Sequence, residues 1–233
     1  MIQLASIFLD GEQAPVLNEL DLVVNLGEVI GLVGLAGSGK SSVLRLASGS
    51  LQPNRGRIRL GQRDVTRHLN QLRQATALST PDLLGPFDLT VDGWMTYWSS
   101  VRGGIDNRQE REEEALKIFG LRPYRMFSVS QLSHSQRRCL DLARVWAIDP
   151  EVYLLDQPDA FLDGLAFQCL RRAIRKLNDR GKTVIIATNS PNLPFRICQR
   201  VVWVKNGYIS EGDQRVQSDE DFQSFIYKAQ GWK

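Results

Sequence analysis

One stretch of this 233-residue chain restricts its fold more than any other: Glu28-Val29-Ile30-Gly31-Leu32-Val33-Gly34-Leu35-Ala36-Gly37-Ser38-Gly39-Lys40-Ser41-Ser42. Residues 29–33 are apolar, bounded by glycines and too few for a helix, so they read as a buried strand. Gly34-x-x-x-x-Gly39-Lys40-Ser41 follows, the pattern of a phosphate-binding loop. The glycines let the backbone turn tightly with several N–H groups pointing inward as an anion nest. Lys40 supplies positive charge to the outer phosphates, and Ser41 offers a hydroxyl to Mg²⁺. The helix expected over 40–48 points its positive end at the same phosphates. A Gly-rich turn before an ordinary helix is the bland alternative. Strand, loop, Lys-Ser and helix arrive in the order that the chemistry requires, which favours a nucleoside triphosphate site over residues Gly34, Leu35, Ala36, Gly37, Ser38, Gly39, Lys40, Ser41 and Ser42.

The rest of the composition narrows the class without naming a function. With 42% hydrophobic and 24% charged residues the chain is an ordinary globular one, and its length suits one domain with an inserted subdomain. A formal net charge of +3 gives no argument for nucleic acid, and the expected helices lack a strong basic stripe. Cys139, Cys169 and Cys198 are odd in number and widely spaced, so buried free thiols in a reducing cytosol are expected over disulfides or a metal site. Asp10 and Glu12 interrupt the N-terminal segment, which therefore does not read as a secretion signal. No apolar run approaches the roughly 18 residues that a bilayer span needs.

Along the chain, strands are expected over 2–9, 20–26, 29–33, 57–60, 76–79, 152–156 and 183–187. Residues 11–15 read as a turn, and 201–209 as a hairpin around Asn206-Gly207. Trp94, Tyr97, Trp98 and Val101 are spaced as one apolar helix face, and Gly103-Gly104 stops that helix. Further helices are expected over 107–119, 135–147 and 163–179, the last capped by Asp163, with a final helix begun by Ser218 and carrying Phe222, Phe225 and Ile226. The expected fold is α/β, a mostly parallel sheet with helices on both faces, an antiparallel N-terminal β subdomain, a helical insert over 81–134 and a C-terminal hairpin and helix over 201–230. All 233 residues form a single domain in this reading.

Many enzyme classes carry a phosphate loop, and the second half of the chain narrows the choice. Leu132-Ser133-His134-Ser135-Gln136 precedes a helix, then come Asp149-Pro150, Val152-Tyr153-Leu154-Leu155-Asp156 and Gln157-Pro158-Asp159-Ala160-Phe161-Leu162-Asp163. This order resembles the ATP-binding cassette (ABC) family, over essentially the whole chain and with the core of a P-loop NTPase. The resemblance implies ATP and Mg²⁺ as ligands, with Asp156 and Ser41 holding the metal. It implies a dimer in which Ser133, His134, Ser135 and Gln136, the signature segment, face the ATP of a second ABC subunit. It further implies integral membrane subunits as partners and a cytoplasmic position, peripheral on the inner face of the membrane.

The chain departs from the family pattern at several places. Gln157 stands where the family has the Glu that polarises the attacking water, and an amide cannot accept the proton. Asn189 stands at the position of the switch histidine that touches the γ-phosphate. His134 and Ser135 replace two signature glycines. Ser79-Thr80-Pro81-Asp82 lacks the usual glutamine, and Phe8 or Leu9 occupies the place of the base-stacking aromatic. The expectation is an ATP-binding subunit of an exporter-like membrane transporter with weak or absent hydrolysis of its own, beside a more intact cassette or a second copy. A non-transporting cassette that uses ATP as a signalling or mechanical switch is the alternative. The soluble ABC proteins of DNA repair or translation fit poorly, because they carry coiled-coil insertions or two cassettes per chain.

Overall fold

The computed structural model describes residues 1–12, 15–103, 107–190 and 192–210. Among the described residues two sheets carry the fold. The first is antiparallel: β1 (Ile2–Asp10) lies between β2 (Pro15–Val24) and β4 (Arg55–Leu60), and the two-residue β5 (Arg63–Asp64) closes the edge. The second holds β3 (Val29–Val33), β6 (Thr76–Ser79), β7 (Val152–Asp156), β8 (Thr183–Thr188), β9 (Arg200–Lys205) and β10 (Tyr208–Ser210), in the order β10-β9-β3-β8-β7-β6. Five of its strands run parallel, and only β10 runs antiparallel, to β9. The fold class is thus the expected α/β one, with a P-loop core, an antiparallel N-terminal subdomain and helices between β6 and β7.

Alternation along the parallel strands splits the interior into two apolar clusters. Ile30, Leu32, Leu154, Ile185 and Ala187 face α1 (Lys40–Ala47) and the antiparallel sheet. Val29, Tyr153, Leu155, Val184 and Ile186 face the opposite cluster. That cluster is completed by α3 (Val91–Arg102), α4 (Arg108–Ile118), α5 (His134–Ile148) and α6 (Gly164–Asp179). A strand buried on both faces needs this near-continuous apolar run, which is why β3, β7 and β8 read so clearly from the sequence.

Several expectations change. β2 begins at Pro15, five residues before the expected strand, because a proline is tolerated as the first residue of an edge strand. The short helices α2 (Leu69–Ala75) and α7 (Pro194–Ile197) were not expected; each buries one residue, Leu72 and Pro194, too little for a periodic signal. The buried face of α3 is Val91, Trp94, Met95 and Ser99, with Trp98 partly buried, while Tyr97 and Val101 stay exposed. The sequence stripe was therefore rotated by less than one turn. Trp94 and Trp98 pack edge to face at 5.9 Å, and both indole N–H groups are buried without a partner among the described residues. A Cβ on Gly85 would stand 2.9 Å from Trp94 Nε1 and 3.0 Å from Trp98 Nε1. Cys139 is buried and Cys169 and Cys198 are half-buried, all three free. The expected helix begun by Ser218 lies outside the described residues. Among the described residues no helix is long and apolar enough to cross a membrane.

Candidate functional site

The loop between β3 and α1 is held from two sides. A Cβ at Gly34 would fall 2.1 Å from the Val204 carbonyl oxygen, which excludes any side chain there, and one at Gly39 would stand 3.0 Å from the Val16 carbonyl oxygen of β2. Gly39 also takes φ +104, open to glycine at no steric cost. Gly207 donates its N–H to the Ser38 carbonyl at 3.1 Å, pinning the β9–β10 turn to the loop. Leu35, Ala36 and Gly37 are exposed at the rim, Ser38, Gly39 and Lys40 are buried, and Ser41 and Ser42 are half-buried. No side chain caps the N-terminus of α1. Among the described residues no side chain therefore competes for its first N–H groups, an arrangement that favours an anion.

Lys40 curls into this nest. Its Nζ donates to the carbonyls of Gly34 at 3.0 Å and Leu35 at 2.6 Å, and to Ser38 Oγ at 3.0 Å. Burial pushes its pKa down to about 8, against the pull of Asp156, which raises it. Asp156 ends β7 and is 5% exposed. Burial raises its carboxyl pKa, opposed first by a hydrogen bond with the Ser41 side chain and then by Arg138, Arg45 and Lys40. Its Oδ1 is buried with no partner among the described residues. An orphaned carboxylate oxygen beside a serine hydroxyl is a hard-oxygen donor set, and it fits Mg²⁺. Gly34 to Ser42 and Asp156 are thus brought into one site.

Gln157 leaves β7 in the left-handed region at φ +45 and donates its N–H to the Ala187 carbonyl at 2.7 Å. It shares an open cavity of about 760 Å³ with Asn189, at the end of β8. Gln157 and Asn189 are therefore brought together. Ser133 to Gln136 sit elsewhere, at the start of α5. Ser133 Oγ accepts the Gln136 N–H at 3.2 Å, and the Gln136 side chain accepts the Ser133 N–H at 2.9 Å, a reciprocal cap. The exposed His134 ring lies 6.2 Å from that of Phe161. Ser135 Oγ donates to Asp163 Oδ2 at 2.8 Å, tying the starts of α5 and α6 together. Leu9 is 7% exposed and belongs to the core, whereas Phe8 is half-buried opposite Arg55.

Sequence reasoning missed the polar bridge behind the site. Arg138 is 3% exposed, and from α5 it reaches the Asp156 carbonyl at 2.6 Å and the Thr80 carbonyl. Asp141 holds it at 3.3 Å and also accepts the Ser79 hydroxyl at 2.6 Å. The signal was available as an Arg and an Asp at i, i+3 on a helix, but the apolar face of α5 drew the attention.

A family profile described as ABC transporter matches residues 17–160. The sulfate/thiosulfate import ATP-binding protein CysA of Mesorhizobium japonicum is 31% identical over 215 residues, covering 90% of this chain. The chain spans 62% of the length of that relative. The probable sulfate/thiosulfate import ATP-binding protein CysA of Chlorella vulgaris is 32% identical over 221 residues, covering 93% of each chain. A solved structure described as the ATP binding subunit of an ABC transporter has a TM-score of 0.82 at 20% identity, over 98% of this chain and 94% of that one. That last likeness speaks for the fold alone.

Proposed function

Because this chain belongs to the ABC transporter family, we propose that it is the ATP-binding subunit of a membrane transporter, holding Mg-ATP in a cassette dimer and hydrolysing it slowly. The observation that carries this reading is the meeting of Lys40, Ser41 and Asp156 under a glycine loop at the open N-terminus of α1. Bound triphosphate takes over the donors of Lys40, which now serve loop carbonyls. Mg²⁺, held by Ser41 and Asp156, neutralises phosphate charge when bound.

Slow turnover follows from the side chains at the general-base and switch positions. Gln157 and Asn189 can orient water through their amides, but neither accepts its proton. General-base assistance is worth roughly 10²–10⁴ in rate, so its loss at 157 prolongs the ATP-bound state. Ser133 can still serve a partner's ATP while it caps its own helix. Its oxygen accepts the Gln136 N–H, which leaves the hydroxyl proton for a phosphate oxygen. His134 narrows that approach where the family pattern has glycine.

The partners in this reading are a second ABC subunit, more intact or identical, and integral membrane subunits on whose cytoplasmic side the chain sits. The exporter-like character expected from the sequence is a narrower proposal, set against two relatives named as import proteins. Purification of the native complex from membranes, with each subunit identified and solute movement followed in vesicles, tests both. Recovery without any membrane subunit would overturn the transporter reading, and uptake would overturn the exporter one.

A further inference from the structure

The cavity that joins Gln157 to Asn189 has one carboxylate among its lining residues, Asp159. It lies two residues past Gln157, on the turn that leaves β7. The Thr188 hydroxyl donates to both its oxygens, at 2.9 Å and 3.1 Å. Thr188 Oγ in turn accepts the Ser190 N–H at 3.0 Å. Asp159 therefore anchors the backbone on both sides of Asn189. The charged groups around it stand on α5, α6, α7 and β7, while β8 contributes none. Arg138 acts from α5, and Arg171 and Arg196 line the cavity from α6 and α7. Asp156 stands on β7, and Arg171 Nε is buried without a partner among the described residues. Burial raises the carboxyl pKa of Asp159, against the Thr188 hydrogen bond and Arg138, which lower it.

We propose that Asp159 is the proton acceptor for the slow hydrolysis of ATP on this chain, in the role that residue 157 does not fill. This rests on the ATP-binding reading above. The cavity is wide enough for several waters between the amides of Gln157 and Asn189 and the carboxylate. The oxygen of one water attacks the γ-phosphorus. Its proton passes along the cavity water to an Asp159 oxygen. The bond from the γ-phosphorus to the β–γ bridging oxygen breaks, leaving ADP and inorganic phosphate. Asp159 then returns the proton to solvent. Only the ionised carboxylate accepts, so turnover falls as pH drops through a pKa above the ordinary aspartate value of 3.8.

The test is single-turnover hydrolysis of radiolabelled Mg-ATP by the full chain, with ATP binding read separately by a fluorescent analogue. The expected result is slow turnover with an acid-side step. Asp159→Asn lowers turnover by roughly 10²-fold or more and removes the step, while ATP binding stays. Asp159→Glu recovers part of the rate, which a merely structural role would not predict. Thr188→Val, which keeps the carboxylate, keeps the step even where it disturbs the loop. Asp159→Asn turning over within twofold of the parent, with the same pH profile, overturns the proposal. So does a parent chain that binds ATP and never turns it over. A parent chain that fails to bind ATP overturns the cassette reading itself, a result that the binding measurement identifies on its own.

Discussion

Lys40 is bonded to the loop that it is built to serve. Its pKa is pushed down to about 8 by burial, from an ordinary 10.5. Below about pH 8 the ammonium is charged and ready for phosphate. Above it the free chain loses that proton, and a bound triphosphate must draw one back. ATP affinity is therefore expected to weaken by up to about tenfold per pH unit above about 8, measured by titration at pH 7 and pH 9. Lys40→Ala removes binding at both values, and retained tight binding would sink the loop assignment. Gln157→Glu is expected to raise turnover by less than about tenfold, short of the range for a general base, since Asn189 and His134 remain. At this scale the sequence showed the phosphate loop plainly, because a nest of N–H groups needs glycines at fixed spacing. It hid the half-buried Asp159 and the buried Arg138, since a charge withdrawn from water looks in sequence like any solvated one.

The helices are held by groups that the sequence only half displays. Asp163 was readable as a cap, and its side chain does accept the Ala166 N–H at 2.9 Å. Ser133 caps α5 two residues before the expected start, so α5 runs from His134. Replacing Ser133 by Ala should cost about 1 kcal/mol and lower Tm by about 2–4 °C, read by thermal unfolding. Arg138→Met is the harsher change. It leaves the Asp141 carboxylate buried with Arg144 at 2.7 Å and without its second cation, at about 3–5 kcal/mol, which denaturant titration would register. A loss under 1 kcal/mol would mean that the bridge is not structural. α2 and α7 stayed hidden because a single buried residue makes no period.

The class of the molecule followed from alternating strands and helices, but the strand order did not. β3 lies between β8 and β9, which come from the far end of the chain, and parallel pairing over such separation leaves no local trace. Cluster composition was legible, because β3, β7 and β8 are apolar on both faces. For the assembly, Mg-ATP is expected to shift the chain from monomer toward a dimer, alone or with a second cassette, by analytical ultracentrifugation. Lys40→Ala should not shift. The residue 80–90 segment joins β6 to α3, and Gly85 within it sits against the two indole N–H groups that lack a hydrogen-bond partner among the described residues. Indole emission follows the polarity of its surroundings. A small displacement of that segment would admit water to Trp94 and Trp98 and redden their light. The joint between the sheet and the helices thus carries its own dye.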